Sequence, residues 1–104
     1  MRRLLTLWLL LLSLGSAHAA TVNVRIEKMH FVPEVVKIKK GDTVVWKSYE
    51  RFGYHTVWFK EEGLAESEPM FPDESWQRTF DKKGEFPYVC GPHSLEMHGR
   101  VIVE

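Results

Sequence analysis

The chain contains a single cysteine in 104 residues. One thiol cannot close an internal disulfide, and in an exported chain a leftover thiol is intermolecular, reactive or metal-bound. Net charge is missing too. The 14 basic residues balance 14 acidic ones, which leaves no electrostatic footprint for nucleic acid and only weak charge steering toward any partner. No stretch sustains a helical period, and there is no repeat, low-complexity tract or linker, so helical bundles, solenoids and multi-domain arrangements are excluded. The one long apolar run, Leu4 to Leu14, is too short to span a membrane with any margin.

That run has the form of an export signal. Met1-Arg2-Arg3 is a short basic head, and Ala17-His18-Ala19 gives a small-x-small cleavage signature. A signal peptide is expected over residues 1–19 and a single domain over residues 20–104, with no membrane span in the mature form. Without Arg2 and Arg3 the remainder carries 12 basic and 14 acidic residues. A small exported domain usually gains stability from disulfides or from metal. Here metal is the remaining option.

The mature sequence is rich in strand signals. Thr21 to Lys28 alternates, with Val22, Val24 and Ile26 on one face and Asn23, Arg25 and Glu27 on the other. Pro33 marks an edge or a crossing segment. Further strands are expected at Val35–Lys39, Thr43–Trp46, His55–Phe59, Trp76–Phe80, Phe86–Cys90 and Arg100–Val103. Between them lie turns such as Lys40-Gly41-Asp42 and Asp81-Lys82-Lys83-Gly84, and a surface excursion without period from Glu61 to Pro72. Seven or eight short strands of this kind predict an all-β, antiparallel sandwich.

Chemistry gathers in one loop between the last two strands. Cys90, His93, Met97 and His98 fall within nine residues, combining a thiolate, imidazoles and a thioether. Soft sulfur with borderline nitrogen suits copper better than magnesium or calcium. Gly91-Pro92 stiffens the turn between Cys90 and His93. A trigonal two-histidine, one-cysteine site with a weak axial methionine is a blue-copper arrangement. It needs one more imidazole, and His55, where a loop enters a strand, is the best-placed candidate. Met97 and His98 compete for the axial place, and His30 reads as a surface histidine.

The whole mature chain resembles the cupredoxins, most closely the amicyanin, pseudoazurin and plastocyanin group. The resemblance rests on Val36 to Trp46, on Phe71-Pro72-Asp73-Glu74-Ser75-Trp76, and on the run from Phe80 to Val103. That run holds a glycine turn, a tyrosine near the cysteine, C-x-P-H and Met-x-Gly-Arg-Val. The resemblance implies a Greek-key β-sandwich, with His55, Cys90 and His93 as strong ligands of one type 1 copper ion cycling between Cu(I) and Cu(II), and Met97 as the long axial one. Three residues separate His93 from Met97, against two in the amicyanin-like pattern and four in plastocyanin-like loops. Counting back from Gly99-Arg100-Val101 places the axial ligand at Met97; counting forward from Cys90 with the plastocyanin spacing places it at His98. The backward count is preferred because strand register fixes that end of the loop. The family often carries asparagine where Ser48 and Thr56 stand here.

The resemblance further implies a periplasmic, monomeric carrier and not an enzyme. It would pass one electron at a time between larger redox proteins, a cytochrome, dehydrogenase or reductase, through an apolar patch around His93. Phe52, Gly53, Tyr54, Pro92 and Leu95 are the candidates for that patch. Two alternatives remain at this point: copper storage or delivery using Met29-His30 and Met97-His98, and a red-copper site resembling nitrosocyanin with His98 as ligand.

Overall fold

The computed structural model describes residues 18–104. The expected signal peptide over residues 1–19 therefore lies outside the described residues except for its last two, which carry no regular structure. The strands are β1 (Thr21–Glu27), β2 (His30–Val32), β3 (Val35–Ile38), β4 (Thr43–Ser48), β5 (Ser75–Thr79), β6 (Gly84–Val89) and β7 (His98–Val103). Two single 3₁₀ turns interrupt the loops, at Lys60–Glu62 and Gly91–His93. Among the described residues no helix is long and apolar enough to cross a membrane.

The seven strands form two sheets, ordered β2-β1-β4-β5 and β3-β7-β6. Alternation decides which residues face inward. Val24 and Ile26 of β1 are buried while Asn23 and Arg25 are exposed, because successive strand side chains point to opposite faces. The expected all-antiparallel pairing is corrected. β1 runs parallel to β4 and β3 parallel to β7, while β1–β2, β4–β5 and β6–β7 are antiparallel. The chain alternates between the two sheets, so neighbours within a sheet are often distant in sequence and free to run the same way.

A second correction concerns His55–Phe59, which forms no regular strand. It makes isolated bridges, His55 with Met70 and Trp58 with Val89. The segment is threaded between the ligand hairpin and the excursion after it, and it is hydrogen-bonded to both. The excursion is also less superficial than its composition indicates, since Ser67 and Met70 are buried. Val57 N–H donates to Ser67 Oγ at 2.8 Å, and Ser67 N–H donates back to the Val57 carbonyl at 3.0 Å.

Aromatic rings fill the space between the sheets. Tyr88 meets Phe31 and Trp46 edge to face at 4.8 and 5.3 Å between centroids, and lies 5.2 Å from Phe59. One end of this core is closed by Arg78. Its guanidinium stacks 4.4 Å from the rings of both Phe59 and Phe80 and grips Glu62 through two hydrogen bonds of 2.7 and 2.9 Å. A planar cation can satisfy both partners together, with its face on the rings and its edge on the carboxylate.

Candidate metal centre

The opposite end of the sandwich holds the ligand-type residues. β6 delivers Cys90 from its C-terminal end, and the 3₁₀ turn Gly91–His93 swings His93 back over it. Pro92 sits inside that turn, where its fixed φ and missing N–H cost nothing. The loop closes on itself. Cys90 N–H donates to the Met97 carbonyl at 3.0 Å, and Met97 N–H donates to the His93 carbonyl at 2.8 Å. His55 arrives from the threaded segment, held by reciprocal bonds with Met70 of 3.1 and 2.8 Å.

The resulting geometry is compact. Cys90 Sγ lies 3.6 Å from His55 Nδ1 and 3.6 Å from His93 Nδ1. All three donor atoms fall within 4.8 Å of one another, and among the described residues no other such cluster of three is found. Metal bonds of about 2.3 Å to sulfur and 2.0 Å to nitrogen would place two donors in a trigonal plane about 3.7 Å apart. The observed sulfur–nitrogen separations match that requirement. His55 and Cys90 are buried and His93 is half-exposed. The donor set and its spacing therefore fit one copper ion.

Met97 and His98 part company at this point. Met97 is fully buried with the core, whereas His98 opens β7 and faces outward. The His98 ring is 60% exposed, with Nδ1 3.7 Å from Glu34 Oε1 on the outer face of the three-stranded sheet. Strand alternation places these neighbours on opposite sides, so Met97 is turned inward and His98 outward. His30 is exposed, as expected.

Thr56 ties the two ligand segments together. Its N–H donates to Cys90 Sγ at 3.4 Å, and its hydroxyl accepts the Gly91 N–H at 2.8 Å. Ser48 makes no such tie; its hydroxyl accepts the nearby Glu50 N–H at 3.3 Å. Sequence reasoning missed two carboxylates. Glu50 Oε1 stands 3.9 Å from His55 Nε2 and accepts the Met29 N–H at 3.2 Å. At 3.9 Å it is an electrostatic neighbour of the ring and not a hydrogen-bond partner. Glu66 accepts the Thr56 hydroxyl at 2.7 Å. Neither residue carried a motif signal, because each sits in a polar loop where acidic residues are ordinary.

Burial dominates the electrostatics. It pushes the Cys90 thiol above its usual range, with the Thr56 and His93 amides opposing, and it pushes His55 below, with Glu50 opposing. Both shifts favour the uncharged group, the normal response to a low-dielectric site. A bound cation reverses that balance for the thiol, since coordination stabilises the thiolate.

Around His93 the surface is apolar. Phe52, Tyr54 and Pro92 line a concavity of about 360 Å³ with His55 and His93. Phe52 is 83% exposed and Leu95 94% exposed, so both are surface residues and not core, and of the two only Phe52 lines the concavity.

The family described as copper binding proteins, plastocyanin/azurin family, matches residues 18–104. Amicyanin of Paracoccus versutus is 40% identical over 90 residues, covering 83% of this chain and 67% of that protein. A chloroplastic plastocyanin of Tetradesmus obliquus is 33% identical over 101 residues, covering 86% of this chain and 70% of that protein. The crystal structure of Paracoccus versutus amicyanin superposes with a TM-score of 0.73 at 39% identity, covering 86% of this chain and 84% of that one.

Proposed function

The chain belongs to the plastocyanin/azurin family of copper-binding proteins, and from that premise we propose that it is a periplasmic carrier of single electrons. His55, Cys90 and His93 would hold the copper, with Met97 as the axial thioether. The observation that carries this reading is the Cys90 sulfur 3.6 Å from two imidazole nitrogens, buried beneath a half-exposed His93 at an apolar surface.

A copper ion held there supplies a one-electron couple between Cu(I) and Cu(II). The protein's part is to keep the donors in place whichever charge is present. The closed loop from Cys90 to Met97, the Thr56 tie and the Trp58–Val89 bridge, with bonds of 2.8 and 3.1 Å, all serve that end. With four donors occupied, no position is left open for a substrate. That favours a carrier over an enzyme. Phe52, Tyr54 and Pro92 line the concavity at His93, and Leu95 is exposed on the same ligand loop. This is the surface on which a donor or acceptor, such as a cytochrome, dehydrogenase or reductase, would dock.

Two further points support the export reading. The basic, apolar and small-residue segments of residues 1–19 have the order of a signal peptide. In addition, Ala20 N donates to Asp42 Oδ1 at 2.8 Å. Cleavage after Ala19 would turn that amide into an ammonium facing the same carboxylate. The storage alternative loses support, because Met97 is buried and His98 faces the other side of the sheet.

Residues 20–104 loaded with Cu(II) test the proposal through their visible and EPR spectra, with Met97→Ala and His98→Ala alongside. The expected result is an intense thiolate-to-copper band with a narrow copper hyperfine splitting, perturbed by Met97→Ala and indifferent to His98→Ala. A colourless protein that gives up copper readily to chelators would refute it.

A further inference from the structure

Thr56 makes three contacts that no other residue beside the ligands combines. It touches the Cys90 sulfur, the Gly91 amide and the Glu66 carboxylate, at 3.4, 2.8 and 2.7 Å. A hydroxyl has one hydrogen and two lone pairs, while an ionised carboxylate only accepts. The Thr56 hydrogen must therefore point at Glu66, which turns a lone pair toward the Gly91 N–H. The 2.7 Å separation is in the range of charge-assisted bonds, about twice as strong as neutral ones.

Glu66 is also packed against the ligand turn itself. A Cβ built on Gly91 would run into its carboxyl group, so the residue after Cys90 must be glycine for this carboxylate to sit where it does. Elsewhere in the excursion Glu62 is neutralised by Arg78. Among the described residues Glu66 has no cationic partner within ion-pair distance. An uncompensated negative charge thus rests on the backbone between two of the donor residues. A charge in that place stabilises the more positive state of a bound metal by Coulomb attraction, and because Glu66 is itself solvent-exposed that attraction is screened by water and salt.

We infer that Glu66 is a positioning and charge-tuning residue of the copper centre: its carboxylate locks the Thr56 hydroxyl onto Gly91 and lowers the reduction potential of the bound ion. The charge-tuning half rests on the copper reading; the positioning half concerns the polypeptide alone.

Three variants separate the two. Glu66→Gln keeps the size and an oxygen acceptor while removing the charge, Glu66→Ala removes both, and Glu66→Asp restores the charge at shorter reach. In copper-loaded protein, Glu66→Gln raises the midpoint potential with melting temperature unchanged. The difference from wild type shrinks as salt is raised, as a screened charge requires. Glu66→Asp returns the potential toward the wild-type value. In metal-free protein, Glu66→Ala speeds hydrogen exchange of the Gly91 amide about tenfold, the equivalent of roughly 1.4 kcal/mol, while Glu66→Gln leaves it near wild type. A Glu66→Gln potential equal to wild type overturns the charge role, and unaltered Gly91 exchange in Glu66→Ala overturns the positioning role. Wild-type protein that shows no thiolate-to-copper band would instead sink the copper reading, and the exchange measurement would still be decisive for positioning.

Discussion

Replacing Gly99 with alanine probes the packing at the root of the ligand loop. Gly99 stands opposite Tyr88 in the β6–β7 ladder, and both are buried. An alanine Cβ would lie 2.6 Å from Tyr88 Cζ and 3.0 Å from the Glu34 carbonyl oxygen. Tyr88 is 1% exposed and boxed by Phe31, Trp46 and Phe59, and the carbonyl belongs to backbone, so neither obstacle swings aside. The φ angle of Gly99 is not positive. Alanine is therefore sterically allowed in the backbone and gains about 0.4–1 kcal/mol through the unfolded chain. Overpacking costs about 1–3 kcal/mol. With two unyielding neighbours the upper end applies, for a net loss of about 2 kcal/mol. In a domain of this size that lowers Tm by roughly 8–16 °C. Urea unfolding of metal-free protein is the cleaner assay, because metal linkage then does not enter; the midpoint should fall with the slope unchanged. Tyr88 Oη has no hydrogen-bond partner among the described residues. Tyr88→Phe alone should therefore cost less than about 1 kcal/mol. Combined with Gly99→Ala it should recover part of the loss, since residues in contact couple. A Gly99→Ala protein as stable as wild type, or a pair whose effects simply add, would refute the argument.

Phe52→Ser and Leu95→Ser should leave stability within about 0.5 kcal/mol, as exposed side chains do, while slowing electron exchange with a redox partner in stopped-flow measurements. Arg78→Lys should cost about 1–2 kcal/mol in urea unfolding, because an ammonium cannot stack on Phe59 and Phe80 while bonding Glu62 twice. Asp42 is held below the ordinary carboxyl range by the Ala20 and Lys39 amides, with Lys39 charge assisting and burial opposing. A depressed folded value means its contribution is complete above the unfolded value, about 3.9, and is lost as pH falls through the folded one. Acid titration of stability in Asp42→Asn should therefore be flatter than wild type below about pH 4, and identical slopes would contradict it.

What the sequence made legible was whatever depends on local pattern. Alternation placed β1, Gly41-Asp42 marked a turn, and the spacing of Cys90, His93 and Met97 marked the loop. His55 needed the chemical demand for a second imidazole, because nothing local distinguishes it from a solvated histidine. The opposite orientations of Met97 and His98 follow from the start of β7, a matter of register that spacing alone does not contain. Parallel pairing of β1 with β4 and of β3 with β7 was illegible, since strand direction depends on which sheet each connection enters. Glu50 and Glu66 were illegible for a related reason. Their importance lies in what faces them across the fold, Met29 and His55 in one case and Thr56 and Gly91 in the other.

The mixed pairing of the smaller sheet also sets an order of assembly. Val35 meets Arg100 across 65 positions, whereas Val89 meets His98 across nine. By the logarithmic law of loop closure the distant pairing costs about 2 kcal/mol more chain entropy than the near one. Within that sheet the β6–β7 hairpin is the local pairing, while β3 must be recruited from afar. Cys90, His93 and Met97 all travel on that hairpin's connection. His55 joins only when the threaded segment docks through the Trp58–Val89 bridge. The topology therefore carries three of the candidate ligand residues on one hairpin connection and brings His55 to them only through the closed sandwich.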